Sequence, residues 1–221
     1  MKAMILAAGR GERLGELTTE IPKPLLEVGG ETLIERHLRR LHEAGVTEVV
    51  INISYLGERI RAALGDVSRW SQRLRFSEEG APALETGGGI INALPLLGPD
   101  PFLVVNADVY TDFDCAELRC DGCEGVLVLV PNPPHHAQGD FGLASSGAVT
   151  REPPLATYGG IAVLAPGLFM GFDPGRRPLR PILESAIHRG TLKGVRHSGI
   201  WQDVGTLERL ADIRGRLGES A

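Results

Sequence analysis

Near the start of the chain, the unbroken apolar run Ala3 to Ala8 stops abruptly at Gly9-Arg10-Gly11-Glu12-Arg13. A short apolar run closed by a turn signal reads as a buried strand. A buried strand ending in a glycine-containing loop is how α/β proteins present backbone N–H groups to phosphate. Gly9 and Gly11 carry no Cβ, so a ligand can come close to their backbone. Arg10 and Arg13 add cationic donors, and a guanidinium can grip a phosphate through two N–H groups at once. Pro22-Lys23-Pro24 then sets a lysine between two residues of fixed φ, which predicts a stiff, extended segment holding a placed positive charge. The loop is not a Walker A motif, because no Gly-Lys-Ser/Thr follows. It is not the dinucleotide fingerprint either, because Leu14 stands where the third glycine belongs. On these residues alone it is either a phosphate site or an ordinary glycine turn.

The rest of the first half alternates strand-like runs with helical periodicity. Residues 32–44 place Leu33, Ile34, Leu38 and Leu41 on one helix face, with Gly45 as the C-cap. Strands are expected at 48–53, 74–77 and 102–105, and helices at 56–64 and 88–97. That rhythm implies right-handed βαβ units on a parallel sheet. In the second half, strands are expected at 125–130, 160–164, 192–196 and 200–204, with a hairpin around Ser145-Ser146-Gly147. Helices are expected at 181–188 and 206–217, the latter capped by Thr206. The chain reads as one α/β domain. Residues 1–130 form a nucleotide-binding half, residues 131–200 a smaller substrate-facing lobe, and residues 206–217 a C-terminal helix.

The 221 residues carry a net charge of −5, so nucleic acid is not the expected partner. An anionic substrate must be drawn in locally, by particular Arg and Lys side chains or a metal ion. No apolar run approaches the roughly 20 residues that span a bilayer, and no signal peptide is seen, so no membrane association is expected. Cys115, Cys120 and Cys123 are an odd number of cysteines. That favours reduced thiols in a reducing, cytoplasmic compartment. Cys120-x-x-Cys123 has metal-ligand spacing, but no second pair accompanies it.

Ligands in open α/β sheets bind beyond the carboxyl ends of the strands. Asp108 leaves the 102–105 strand at such an end. A carboxylate there, near a phosphate loop, points to Mg²⁺, which is usually held by one or two carboxylates plus substrate phosphates. Asp203, in Trp201-Gln202-Asp203-Val204-Gly205-Thr206, is the second candidate. Each has a structural alternative, a turn former at Asp108 and a helix cap at Asp203. Asp112 and Asp114 read as caps of a short helix.

Together, Ala-Met-Ile-Leu-Ala-Ala-Gly-Arg-Gly-Glu-Arg-Leu at residues 3–14, Pro22-Lys23-Pro24-Leu25, Asn106-Ala107-Asp108 and the Trp201 to Thr206 segment resemble the sugar-1-phosphate nucleotidyltransferases. These enzymes join a nucleoside triphosphate to a sugar 1-phosphate and release pyrophosphate. The resemblance implies a single Rossmann-like domain with a mixed, mostly parallel sheet flanked by helices. It also implies that Gly9, Gly11 and Arg13 hold the triphosphate, that Lys23 contacts phosphate, and that Asp108 and Asp203 hold Mg²⁺. Residues 84–90 and His135-His136-x-x-Gly139-Asp140-Phe141 look like one branch, the bacterial N-acetylmuramate-1-phosphate uridylyltransferases. By motif position, Asp140, Gly142, Tyr158 and Gly159 would face the sugar, with His135 and His136 at its rim. Ala8, Gly9, Glu79, Glu85, Thr86 and Gly87 would build the base pocket. Two departures stand out: Glu12 replaces a common Thr, and Arg151-Glu152-Pro153-Pro154 replaces a Glu-Glu-Lys-Pro segment.

The sugar phosphate is already an anionic nucleophile, so no general base is needed. The expected catalytic set is Arg13, Lys23 and Asp108, which bring two polyanions into line and stabilise the added charge. The expected partners are UTP and a sugar 1-phosphate, N-acetylmuramate 1-phosphate first, for a monomer or weak homodimer. Glu79 or Glu85 turned inward would instead suit guanine and a mannose-1-phosphate guanylyltransferase. Glucose or N-acetylglucosamine 1-phosphate uridylyl transfer, or a non-catalytic nucleotide-sugar sensor, are further alternatives.

Overall fold

The computed structural model describes residues 1–218. The first half runs β1 (Ala3–Leu6), α1 (Leu17–Glu20), β2 (Glu27–Val28), β3 (Glu31–Thr32), α2 (Leu33–Glu43), β4 (Glu48–Ile53), α3 (Gly57–Leu64), β5 (Arg73–Glu78), α4 (Glu85–Leu97), β6 (Phe102–Asn106) and β7 (Val109–Thr111). The second half adds β8 (Gly125–Val130), β9 (Phe141–Leu143), β10 (Val149–Thr150), β11 (Leu155–Leu164), α5 (Arg180–Arg189), β12 (Leu192–Arg196), β13 (Trp201–Asp203) and α6 (Leu207–Arg216).

β6, β1, β4 and β5 pair in parallel, as the βαβ rhythm requires. β11 then pairs antiparallel to β6 on one side and to β8 on the other, and β12 lies parallel to β8. The sheet is therefore mixed and mostly parallel. Helices and loops bury it on both faces, one apolar cluster holding Ile5, Val49, Ile51 and Ile34, the other Met4, Val50, Ile90 and Phe102. Alternating residues of β1 and β4 thus feed opposite layers, so each buried strand reads as continuously apolar. The α2 boundary follows from a capping box: Thr32 accepts from the Glu35 N–H, and Glu35 reaches back to the Thr32 N–H.

Four expectations change. Lys23 does not lie in an extended segment. Only Pro22 is extended, and Lys23–Leu25 closes a 3₁₀ turn, with the Leu26 N–H bonded to the Lys23 carbonyl. Single helical turns at Glu12–Leu14 and Leu17–Glu20 fill the stretch between the loop and that lysine. α4 starts at Glu85, so the segment 85–87 is its first turn. β11 is ten residues long because a bulge at Gly159-Gly160 lets it bend and continue, tying the β9–β10 hairpin to the central sheet.

A third, smaller cluster matters most for the site. Leu210 and Ile213 of α6 pack with Leu14, Leu26, Leu33, Tyr110 and Val204. The end of the chain is thereby docked onto the loop near its start.

Candidate active site

A cavity of about 250 Å³ opens at the carboxyl ends of β1 and β6, lined by Ala8, Gly9, Gly11, Lys23, Glu79, Glu85, Thr86 and Asp108. A Cβ added at Gly9 would meet no atom within 4 Å, so the backbone there faces free space. Gly11 has φ +68°, and its missing side chain leaves Thr18 and the Lys23 stem room to pack beneath the loop. The backbone N–H groups of Gly9, Arg10 and Gly11 have no acceptor among the described residues. Three adjacent donors with no internal partner, at the mouth of a cavity, suit an anion.

Lys23 and Arg10 diverge. Lys23 enters the cavity and pairs with Asp108 at 2.5 Å, its side chain only 11% exposed. A lysine that far from solvent needs such a counter-charge. Arg10 turns outward, its guanidinium 4.8 Å from the centre of the Tyr55 ring.

β7 and β13 bring the two aspartates together. Asp203 sits opposite Val109, and the Val204 N–H donates to the Asp108 carbonyl at 2.8 Å. Asp203 is thus the last residue of a strand and not a helix cap; Thr206 caps α6. Arg209 of α6 donates to Asp203 at 2.8 Å, and His135 Nε2 lies 3.0 Å from the same carboxylate. Arg13 stands on this side too. It lines a separate cavity with Asn132, His135, Asp203 and Arg209, and not the first one. Gly205 is the pivot of that cluster. A Cβ there would come within 2.9 Å of Arg13 Nη2 and of Asp203 Oδ2, and closer still to Arg209.

Each carboxylate is of the kind that binds a hard divalent cation; in this structure Asp108 pairs with Lys23 in the first cavity, and Asp203 with Arg209 and His135 in the other. Among the described residues, no three His, Cys, Asp or Glu side chains converge into a metal cage. Any ion here would therefore depend on the substrates for the rest of its ligands. The cysteines are placed elsewhere, with Cys115 in the core and Cys120 Sγ 3.1 Å from Cys123 Sγ. Of the two candidate caps, Asp114 accepts from the Ala116 N–H, whereas Asp112 pairs with His197.

A second cavity, about 440 Å³, shares Glu85, Thr86 and Asn106 with the first, and adds Asp140, Phe141, Tyr158, Leu179, Arg180 and Leu183. Asp140 is anchored by the Tyr158 N–H at 2.9 Å and by His136 at 3.2 Å. The Tyr158 hydroxyl is shielded from solvent and has no hydrogen-bond partner, and burial pushes its pKa up. Besides Arg13 and Asp203, three predicted residues line neither chamber. Gly87 packs on the Arg177 and Pro178 carbonyls, Gly142 under Glu152, and Gly159 against Val128, its carbonyl accepting from Trp201 Nε1.

Asn52 is a residue that sequence reasoning missed. Its side chain accepts the Ala7 N–H at 2.8 Å and donates to Glu79 at 2.6 Å. The other oxygen of Glu79 accepts the Leu84 N–H at 2.8 Å. A buried polar residue inside the apolar run 48–53 was the available signal. Glu85, for its part, holds φ +62° and pairs with Arg176 at 2.8 Å. A non-glycine residue in that strained conformation is typical of a site that over-determines its backbone.

The model of the family described as nucleotidyl transferase matches residues 2–151. The chain is 45% identical to an N-acetylmuramate alpha-1-phosphate uridylyltransferase of Neisseria meningitidis, with 99% of each chain covered. It is 32% identical to one of the same description from Caulobacter vibrioides, covering 99% of this chain and 97% of that one. The solved structure of HddC from Yersinia pseudotuberculosis shares the fold, with a TM-score of 0.82 at 21% identity over 97% of this chain and 98% of that one. A loop of free N–H donors beside Lys23 and two strand-end aspartates is thus found in a chain that belongs to the nucleotidyl transferase family.

Proposed function

We propose that the protein transfers the uridylyl group of UTP to N-acetylmuramate 1-phosphate, forming the UDP-sugar and pyrophosphate. The observation that carries this reading is the pair of joined cavities. The first is rimmed by unpartnered N–H groups, Lys23 and Asp108; the second, across Thr86 and Asn106, has about 440 Å³ in which this reading places the sugar. The relatives described above support the choice of substrates.

In this reading the N–H groups of Gly9 to Gly11 and Lys23 bind the triphosphate. A phosphate oxygen of the sugar 1-phosphate attacks the α-phosphorus as the α–β bridging P–O bond breaks, and pyrophosphate leaves with that electron pair. The attacking oxygen is already anionic, so no side chain has to remove a proton. Asp108 and Asp203 would hold Mg²⁺, which when bound neutralises phosphate charge. Lys23 and Arg13 contribute positive charge from either side of those carboxylates, and such preorganised charge lowers the barrier. Asp140, Tyr158, Gly142 and Gly159 orient the sugar directly or through the backbone they support.

Base choice follows from which carboxylates are already engaged. Both oxygens of Glu79 accept internal N–H groups, and Glu85 faces Arg176. Guanine presents adjacent N–H donors that call for a free carboxylate. Uracil presents one N–H between two carbonyls and suits backbone groups such as those of Ala8 and Thr86. Pyrophosphate release, measured for four nucleoside triphosphates against N-acetylmuramate, N-acetylglucosamine, glucose and mannose 1-phosphates, tests the assignment. UTP with N-acetylmuramate 1-phosphate should give the highest kcat/KM. A better rate with GTP and mannose 1-phosphate would overturn it, and no turnover at all would favour the nucleotide-sugar sensor.

A further inference from the structure

The second cavity holds a cation that uridylyl transfer itself does not use. Arg180, the first residue of α5, lines it alongside Phe141, Pro178, Leu179 and Leu183. Its Nε donates to Glu184 at 3.1 Å and its Nη1 lies 3.6 Å from Asp140, while Nη2 has no partner among the described residues. The acids around it are matched independently. Glu85 faces Arg176, and Asp140 holds the Tyr158 N–H and His136. Glu184 also lies 3.8 Å from Arg151. α5 opens on this cavity without a side-chain cap, and the Tyr158 hydroxyl on the same wall is out of solvent and unpaired. Donors without internal acceptors, beside the apolar Phe141, Leu179 and Leu183 side chains, leave room for an anionic group joined to a small apolar one. The phosphates are served in the first cavity by Lys23 and the loop.

We propose that Arg180 is the residue that selects the sugar, by receiving a carboxylate carried on the sugar ring. The proposal rests on the reading above. Among the four candidate sugar phosphates, only N-acetylmuramate bears a carboxylate, on an ether-linked lactyl group whose methyl the Phe141, Leu179 and Leu183 wall would cover. A neutral hexose 1-phosphate gains nothing from Arg180, so the residue acts on discrimination and not on the transfer step.

Steady-state rates with UTP test this in the wild type, Arg180→Met and Arg180→Lys. The side chain is 54% exposed, so the fold does not depend on it. For Arg180→Met, KM for N-acetylmuramate 1-phosphate should rise about 10- to 100-fold, the value of a hydrogen bond to a charged group. kcat should hold, the constants for N-acetylglucosamine 1-phosphate should not change, and Arg180→Lys should fall between. Equal loss on both sugars, or no change on either, overturns the proposal. Calorimetric binding of the two sugar phosphates in the absence of nucleotide separates it from the enzymatic reading. If the wild type turns over neither sugar, uridylyl transfer fails. A preference for N-acetylmuramate 1-phosphate that disappears in Arg180→Met still supports the role of Arg180, and equal affinities in the wild type overturn it.

Discussion

His37 lies on α2 at 4% exposure, beneath the turn that carries Asp108, with Nε2 unpaired and its ring hydrogen-bonded to the Val109 backbone. Burial is the largest cause of a pKa pushed down from 6.5 to about 4; Asp108 opposes the shift, while Arg36 and Arg40 add to it. Below pH 6.5 the unfolded chain therefore binds a proton that the folded one refuses until about pH 4. The stability that His37 contributes is complete above that window and is lost as pH falls through it, by about 3 kcal/mol at most. Glu31, Glu48 and Glu124, whose pKa values are lowered from 4.5, lose theirs only at lower pH. Urea midpoints between pH 7 and 5 should slope for the wild type and flatten for His37→Gln; identical slopes would refute the assignment. Asp108→Asn should still fold, with a lower melting temperature because Lys23 loses its counter-charge, and should lose about 10²- to 10³-fold in kcat, as expected for a charge-organising group; near-wild-type turnover would dismiss it. Asp108 and Lys23 could be read in the sequence because each is charged chemistry beside a strand end or a proline. Asn52 and Arg180 could not. Their tasks depend on what the fold sets opposite them, Ala7 and Glu79 in one case and a cavity wall in the other.

At the scale of elements, periodicity located the buried strands because each one feeds both layers of the core, and the β4 boundaries were legible in full. It failed where glycine carries a tertiary meaning. The helix expected at 88–97 starts three residues earlier, at Glu85, so the triplet 87–89 lies inside α4 and does not open it. There Gly88 meets the Gly175 carbonyl and Gly89 the Glu79–Asn52 pair, so the missing side chains permit close packing. Gly88→Ala should therefore cost about 1–3 kcal/mol in place of the small gain of an ordinary helical Gly→Ala change, a sign that denaturant unfolding reads directly. β11 was read short for a related reason. Its bulge at Gly159-Gly160 breaks the alternation that would have joined residues 155–158 to the strand.

Across the whole molecule, the fold class was legible because βαβ rhythm admits few topologies. The partition of the site was not. Arg13, ten residues after the first strand begins, sits in the Asp203 cavity, which α6 helps to line and packs against. A chain ending after Gly205 should keep the central sheet, lose at least about hundredfold in turnover through misplacement of Asp203 and Arg13, and bind a hydrophobic dye where Leu14, Leu26 and Tyr110 become bare. Wild-type activity in that chain would remove α6 from the account. The same docking has a consequence for how the protein comes into being. Synthesis runs from the amino end, so residues 9–13 are made long before Asp203, Gly205 and Arg209. Throughout that interval the growing chain carries the glycine loop without the helix that packs beside it, and the cavity of Arg13 and Asp203 is completed only when α6 folds back onto Leu14 and Leu26.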